Sequence, residues 1–315
     1  MGITRRIFVV GGAVLGGTAL AGLGIGTGYL STIDVEGMTP SAGEGGSVNL
    51  NTWINIGTDD VITIHVPFLE MGQGTHTGLA QLVAEELELD LAAGNVRVMH
   101  PEQEFSAHTN WAMFLNKRPQ EMTGPMSWYA KRFMATMKLS ATGGSTAVVG
   151  SWDVMRQAGA GAREMLRTAA AEHFKADPAG LQLEHGVFRT ADGSQSVSFG
   201  KIAQAAAKLE PPSQVALKPA SEFKVIGQPV PRVDVPAKIA GTGRFGIDVR
   251  LPAMVFATVR QAPVFGATIA GVNDEAARAM RGVIDVIKAE DAVIVVADNT
   301  WRAFQAADAL EITYD

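Results

Sequence analysis

Residues 61–66 alternate, with Ile62, Ile64 and Val66 on one face and Thr63 and His65 on the other, the period of a half-buried strand. Downstream, Leu79, Leu82, Val83 and Leu87 recur at helical spacing, and Glu85, Glu86 and Glu88 fall largely outside that stripe. Those carboxylates, with Asp90, are expected to form a solvated helix face. Between strand and helix stands Glu70-Met71-Gly72-Gln73-Gly74-Thr75-His76-Thr77. Two glycines at a strand-to-helix turn let the backbone approach a ligand and aim helix N–H groups at it, which suits a phosphate or another anion. A merely tight connection uses the same two residues, so the pattern leaves both readings open.

The same reading places a strand over 49–56, the Asp59-Asp60 turn, and a short strand over 95–99 that completes a β-α-β start. Between 100 and 139 the period dissolves. That stretch, with His108, Trp111, Phe114, Trp128 and Tyr129, is either a surface loop anchored by aromatics or the lining of a pocket. Order returns at a second glycine loop, Gly143-Gly144-Ser145-Thr146, ahead of a helix over 151–174 whose stripe is Met155, Ala158, Ala162, Met165, Leu166 and Ala169. Successive N–H groups and hydroxyls in such a loop form a second anion-binding concavity, or simply cap a long helix. Asp177-Pro178 ends that helix, a strand pair surrounds His185-Gly186, and residues 200–208 form a further helix. Beyond the proline-rich 210–221, strands over 255–259, 283–287 and 293–297 alternate with helices near 274–280 and 300–309, a small α/β domain.

Composition changes the picture in three ways. A length of 315 residues with 47% hydrophobic content allows about two globular domains. A net charge of −6 gives no basic face for nucleic acid. With no cysteine the chain can hold neither a disulfide nor a cysteine-ligated iron–sulfur cluster, so electrons it handled would leave through another protein. None of the six histidines is paired at metal-site spacing, so no metal ligand is expected from side chains.

At the start, Arg5-Arg6 precedes a weakly apolar run rich in Gly, Ala, Val and Leu, the pattern of a twin-arginine export signal over 1–31 leading to the periplasm. The alternative is an inner-membrane anchor through residues 7–30, since Ala19-Leu20-Ala21 is the best cleavage site and lies early. Gly22, Gly24, Gly26 and Gly28 have no strand–helix unit around them, so a dinucleotide fingerprint is set aside. Residues 32–46 read as a tether.

Glu-Met-Gly-Gln-Gly-Thr-His-Thr at 70–77, the helix Leu79-Ala80-Gln81-Leu82-Val83-Ala84-Glu85-Glu86-Leu87, and the Gly-Gly-Ser-Thr loop followed by Arg156-Gln157-Ala158-Gly159-Ala160 resemble the large subunits of the molybdenum hydroxylases, the xanthine dehydrogenase and aldehyde oxidase family, including isoquinoline 1-oxidoreductase. Residues 223–227, 232–241 and 245–248 resemble the opening of that family's α/β hammerhead domain.

The resemblance implies an α+β fold: a partial molybdopterin-binding domain over 47–209, a linker over 210–221 and a hammerhead domain over 222–315. It implies molybdopterin, as its cytosine dinucleotide, held by Met71, Gly72, Gln73, Gly74, Gly143, Gly144, Ser145 and Thr146. It also implies an iron–sulfur small subunit as partner and hydroxylation of aldehydes or N-heterocycles. In the family the polypeptide continues to a further cofactor loop and a glutamate that acts as base. No catalytic residue is assigned here, which leaves two expectations: a portion completed by a separate C-terminal half, or a non-catalytic accessory subunit. Arg232, Asp234 and Lys238 are expected as a structural ion-pair cluster.

Overall fold

The computed structural model describes residues 37–100 and 141–315, with Ser31 and six positions between 124 and 132. Two compact units divide at Thr242 and Gly243. The signal segment and residues 101–123 and 133–140, with His108, Trp111 and Phe114, lie outside the described residues.

In the first unit the strands β1 (Ser41–Ala42), β2 (Val48–Asn51), β3 (Ile54–Ile56), β4 (Ile62–His65) and β5 (Val96–Met99) form one sheet in that order. All neighbours are antiparallel except β4 and β5, which run parallel with Ile62 opposite Val96. Helix α1 (Thr75–Leu87) makes the crossover between them, because parallel neighbours need a connection that spans the sheet. Ile62, Ile64 and Val66 are buried as the alternation requires. The single strand expected over 49–56 is two strands: Trp53 N–H donates to Asn51 Oδ1 at 3.0 Å and the register shifts between Asn49 and Asn51. Asn51 Nδ2 donates to Ala158 O at 3.0 Å, so a buried asparagine turns the chain and satisfies its own amide.

Helix α2 (Ala147–Phe174) starts earlier than the apolar stripe suggests and buries that stripe entirely. It ends at Lys175, whose N–H bonds to Ala171 O and Glu172 O in a left-handed cap. A Cβ on Gly159 would stand 2.9 Å from Glu86 Cβ and 3.1 Å from Val83 O, so α1 and α2 meet where one of them has no side chain. Strands β6 (Gln182–Glu184), β7 (Val187–Arg189) and β8 (Ser196–Ser198) and helix α3 (Phe199–Ala206) complete this core, with the Phe188 and Phe199 rings 5.7 Å apart. Residues 222–242, including the short helix α4 (Val235–Ile239), belong to this unit; Val225, Ile226 and Val230 pack on its core.

The second unit has the antiparallel sheet β11 (Val283–Lys288), β12 (Ala292–Ala297), β9 (Phe256–Gln261), with helices α5 (Glu275–Arg278) and α6 (Thr300–Asp308). Its core is small: Ala277, Val286, Val293, Val295, Ala306 and Ala307. A further ribbon, β10 (Ile269–Asn273) with β13 (Glu311–Tyr314), is not evident from the pattern, because Gly271 interrupts β10 and β13 is only 4 residues long.

Candidate functional site

The chain leaves β4 under tight control. Val66 N–H bonds to Met99 O at 2.8 Å, and Val66 and Phe68 are wholly buried. Leu69 and Met71 then emerge, Met71 at 69% exposure. Gly72 at φ 104° and Gly74 at φ 82° adopt left-handed backbone, and among the described residues a Cβ on either would meet no atom within 4 Å. Dihedral freedom demands glycine here, and no described residue crowds the outer face of the turn.

Amides of the turn and one at the start of α1 are engaged by a side chain. Glu70 Oε1 accepts from Gly72 N at 2.8 Å and Gly74 N at 3.0 Å, and Oε2 accepts from His76 N at 3.1 Å. The chain's own carboxylate therefore engages part of the helix terminus at which the sequence reading placed an anion. Gln73 also turns inward, donating from Nε2 to Leu69 O at 2.6 Å and accepting from Met71 N at 2.5 Å. Burial pushes the Glu70 carboxyl up, but donation from Gly74, His76 and Gly72, with the Arg232 charge, more than offsets it and leaves its pKa lowered. His76 is lowered chiefly by burial; its Nε2 stands 3.1 Å from Phe68 O, so that nitrogen carries the hydrogen.

The ion-pair cluster expected around Asp234 is present and extends further than the sequence showed. Arg232 Nε and Nη2 donate to Asp234 at 3.0 and 2.7 Å, and Lys238 Nζ donates to the same carboxylate at 2.5 Å. Arg232 also donates from Nη2 to Glu70 Oε1 at 3.1 Å and from Nη1 to Gly72 O at 2.7 Å. No sequence spacing links positions 70 and 232; only the packing of residues 222–242 onto α1 does.

The second loop adjoins the first. Leu69 N–H donates to Thr142 Oγ1 at 2.9 Å, tying the turn to the residue just before Gly143. Gly144 at φ 62° and Ser145 at φ 55° are both left-handed. Thr146 donates from Oγ1 to Gly143 O at 3.1 Å, so its hydroxyl does not cap α2. Val148 and Val149 are exposed beside it. The eight residues singled out in the sequence thus lie on two linked loops.

The acidic face of α1 is the largest departure from expectation. Glu85 and Glu86 are fully buried. Glu86 accepts from Arg156 Nε at 3.0 Å and Nη2 at 2.5 Å and from Arg163 Nη1 at 2.8 Å. Glu85 sits in a nest of three consecutive N–H groups, Lys224 at 2.9 Å, Val225 at 2.7 Å and Ile226 at 2.9 Å. Burial raises the Glu85 carboxyl, while those three donors and Lys218 lower it by more. These glutamates fasten a returning segment and a second helix instead of facing water.

Among the described residues no group of three His, Cys, Asp or Glu side chains could hold a metal, and no helix is long and apolar enough to cross a membrane.

A family profile described as Molybdopterin cofactor-binding domain matches residues 18–112, a stretch that contains the turn at 70–77. The chain is 29% identical over 340 aligned residues to the beta subunit of isoquinoline 1-oxidoreductase of Brevundimonas diminuta, covering 98% of this chain and 39% of that protein. It is 28% identical to a membrane-bound aldehyde dehydrogenase (pyrroloquinoline-quinone) of Gluconacetobacter polyoxogenes, covering 85% of this chain and 32% of that one. A nicotinate dehydrogenase subunit of Pseudomonas putida is 27% identical, over 89% of this chain and 21% of its own. The chain thus spans about two fifths or less of the length of these relatives. The chain is thus similar over most of its length to part of these oxidoreductase subunits, and its residues 18–112 match the profile of a molybdopterin cofactor-binding domain.

Proposed function

We propose that this chain supplies part of the molybdopterin site of an oxidoreductase that hydroxylates aldehydes or N-heterocycles, the classes named in its relatives. One observation carries the reading: within the matched region, a glycine turn whose outer face is open to a ligand is tied through Leu69 and Thr142 to a second glycine loop. Gly72, Gly74 and the backbone of 143–146 fit a flat, polar cofactor, because none of them presents a large side chain toward it. A phosphate fits the uncapped start of α2 better than that of α1, which Glu70 fills.

The bound cofactor, in its cytosine dinucleotide form, would supply the redox centre for hydroxylation. This chain's share is to hold and orient it. Glu70 and Glu86 are poor candidates for a base, since donors engage both oxygens of each. The base then comes from polypeptide equivalent to the part of the relatives that this chain does not cover. Electrons leave through an iron–sulfur small subunit, the second domain is of the hammerhead type, and the assembly acts in the periplasm after twin-arginine export.

The test is molybdenum and pterin content of the assembled complex. Gln73→Ala and Gly144→Val should lower both with the melting temperature of the chain retained for the first. Parent-like cofactor content in both variants would reject the assignment.

A further inference from the structure

Residues 218–234 run back along α1 as a strap, antiparallel to it, and a row of polar ties fastens the two together. Lys218 and Lys224 reach Glu88 at 3.1 and 3.3 Å, the 224–226 amides hold Glu85, Gln81 donates to Val225 O and Gln228 O, and Val233 N–H donates to Thr77 Oγ1. The last tie differs from the rest, because Arg232 reaches past the helix to the glycine turn itself.

We propose that Arg232, braced by Asp234, is a positioning residue that fixes the conformation of the turn 70–74, holding Gly72 and Gly74 in the left-handed backbone that leaves their outer face open. The guanidinium grips both sides of the turn, the Gly72 carbonyl and the Glu70 carboxylate that collects the turn's amides. Asp234 engages the remaining guanidinium edge, and Lys238 holds Asp234 from the other side, so the fork has one orientation. An arginine fits this geometry and a lysine does not, since one ammonium cannot span a backbone carbonyl and two carboxylates in a plane. That the held turn serves a cofactor rests on the function proposed above; that Arg232 holds it does not.

Hydrogen exchange of the full chain separates the two. In Arg232→Ala the amides of Gly72, Gly74 and His76 should exchange roughly tenfold faster, while those of residues 79–87 keep their parent rates. Arg232→Lys should fail to restore slow exchange. Lys224→Ala, which cuts a strap tie at the far end of α1, should leave the turn unchanged. Parent-like exchange in Arg232→Ala, full rescue by lysine, or equal acceleration in Lys224→Ala would each overturn the proposal. If the turn loosens in Arg232→Ala but molybdenum and pterin content in the assembled complex is unaltered, Arg232 still positions the turn and the cofactor reading of that turn fails instead.

Discussion

Helix α1 is bordered by two carboxylates with the same chemistry and opposite settings. Glu85 and Glu70 each accept three backbone N–H groups and face a basic side chain. Around Glu85 everything is packed: the carboxylate is fully buried and, against the adjoining Glu86, Gly159 has no room even for a methyl group. Around Glu70 the donors come from the turn's own glycines, which look onto open space. A carboxylate in an N–H nest is therefore a clamp in one place and the frame of a candidate site in the other. What distinguishes them is the space around the glycines, not the hydrogen bonds.

The largest effect is expected where the packing is complete. Glu86→Ala takes from buried Arg156 its carboxylate and leaves buried Arg163 only Glu164, and should cost about 3 kcal/mol in denaturant unfolding. A loss under about 1 kcal/mol would show that water reaches this pair and that the packed end of the helix resembles the open one.

Gly159→Ala places a methyl group against Glu86 Cβ and the Val83 backbone and should destabilise by about 1–3 kcal/mol, with the same change at Gly161, where a Cβ meets nothing, close to neutral or stabilising. Equal effects at both would mean that α1 and α2 are not in close contact there.

Acid should distinguish the groups by window. His65 and His76 have lowered pKa values, so the unfolded chain binds their protons first; stability falls as pH drops below the ordinary histidine value of 6.5 towards their folded values. Glu70 and Glu85 are also lowered, so their contribution is complete above 4.5 and is lost as pH falls through their folded values. Glu85→Gln should remove part of the second decline and leave the first. A single decline below 4.5 in the parent would contradict the neutral histidines.

The smallest effect belongs to the half-exposed pairs of the second unit. Arg278→Ala breaks half-exposed bonds to Asp274 and Asp285 and one bond to Val286 O, and should destabilise the chain by no more than about 1 kcal/mol in denaturant unfolding. A clearly larger loss would assign those charges a structural role like that of Glu86.

The periods of residues 61–66, of 79–87 and of the 151–174 stripe were legible because each element buries one face, and burial leaves its spacing in the residue types. The two glycine loops were legible for a related reason: left-handed backbone restricts the residue to glycine or a few others. The sequence by itself thus determined the strand at 61–66, the two long helices with their apolar faces and the two glycine turns, but not the break at Asn51 or the β10–β13 ribbon. Only the tertiary structure decided where the charges went. Glu85 and Glu86 read as a solvated face because a carboxylate's cost of burial depends on its partners, and theirs are Arg156, Arg163 and the amides of 224–226, far away in sequence. Glu70 was read only as the first residue of the motif at 70–77, and its carboxylate collects the amides of Gly72, Gly74 and His76 where an outside anion was expected. A hydrogen bond between positions 70 and 232 has no period, so it could be found only once the strap was folded onto the helix.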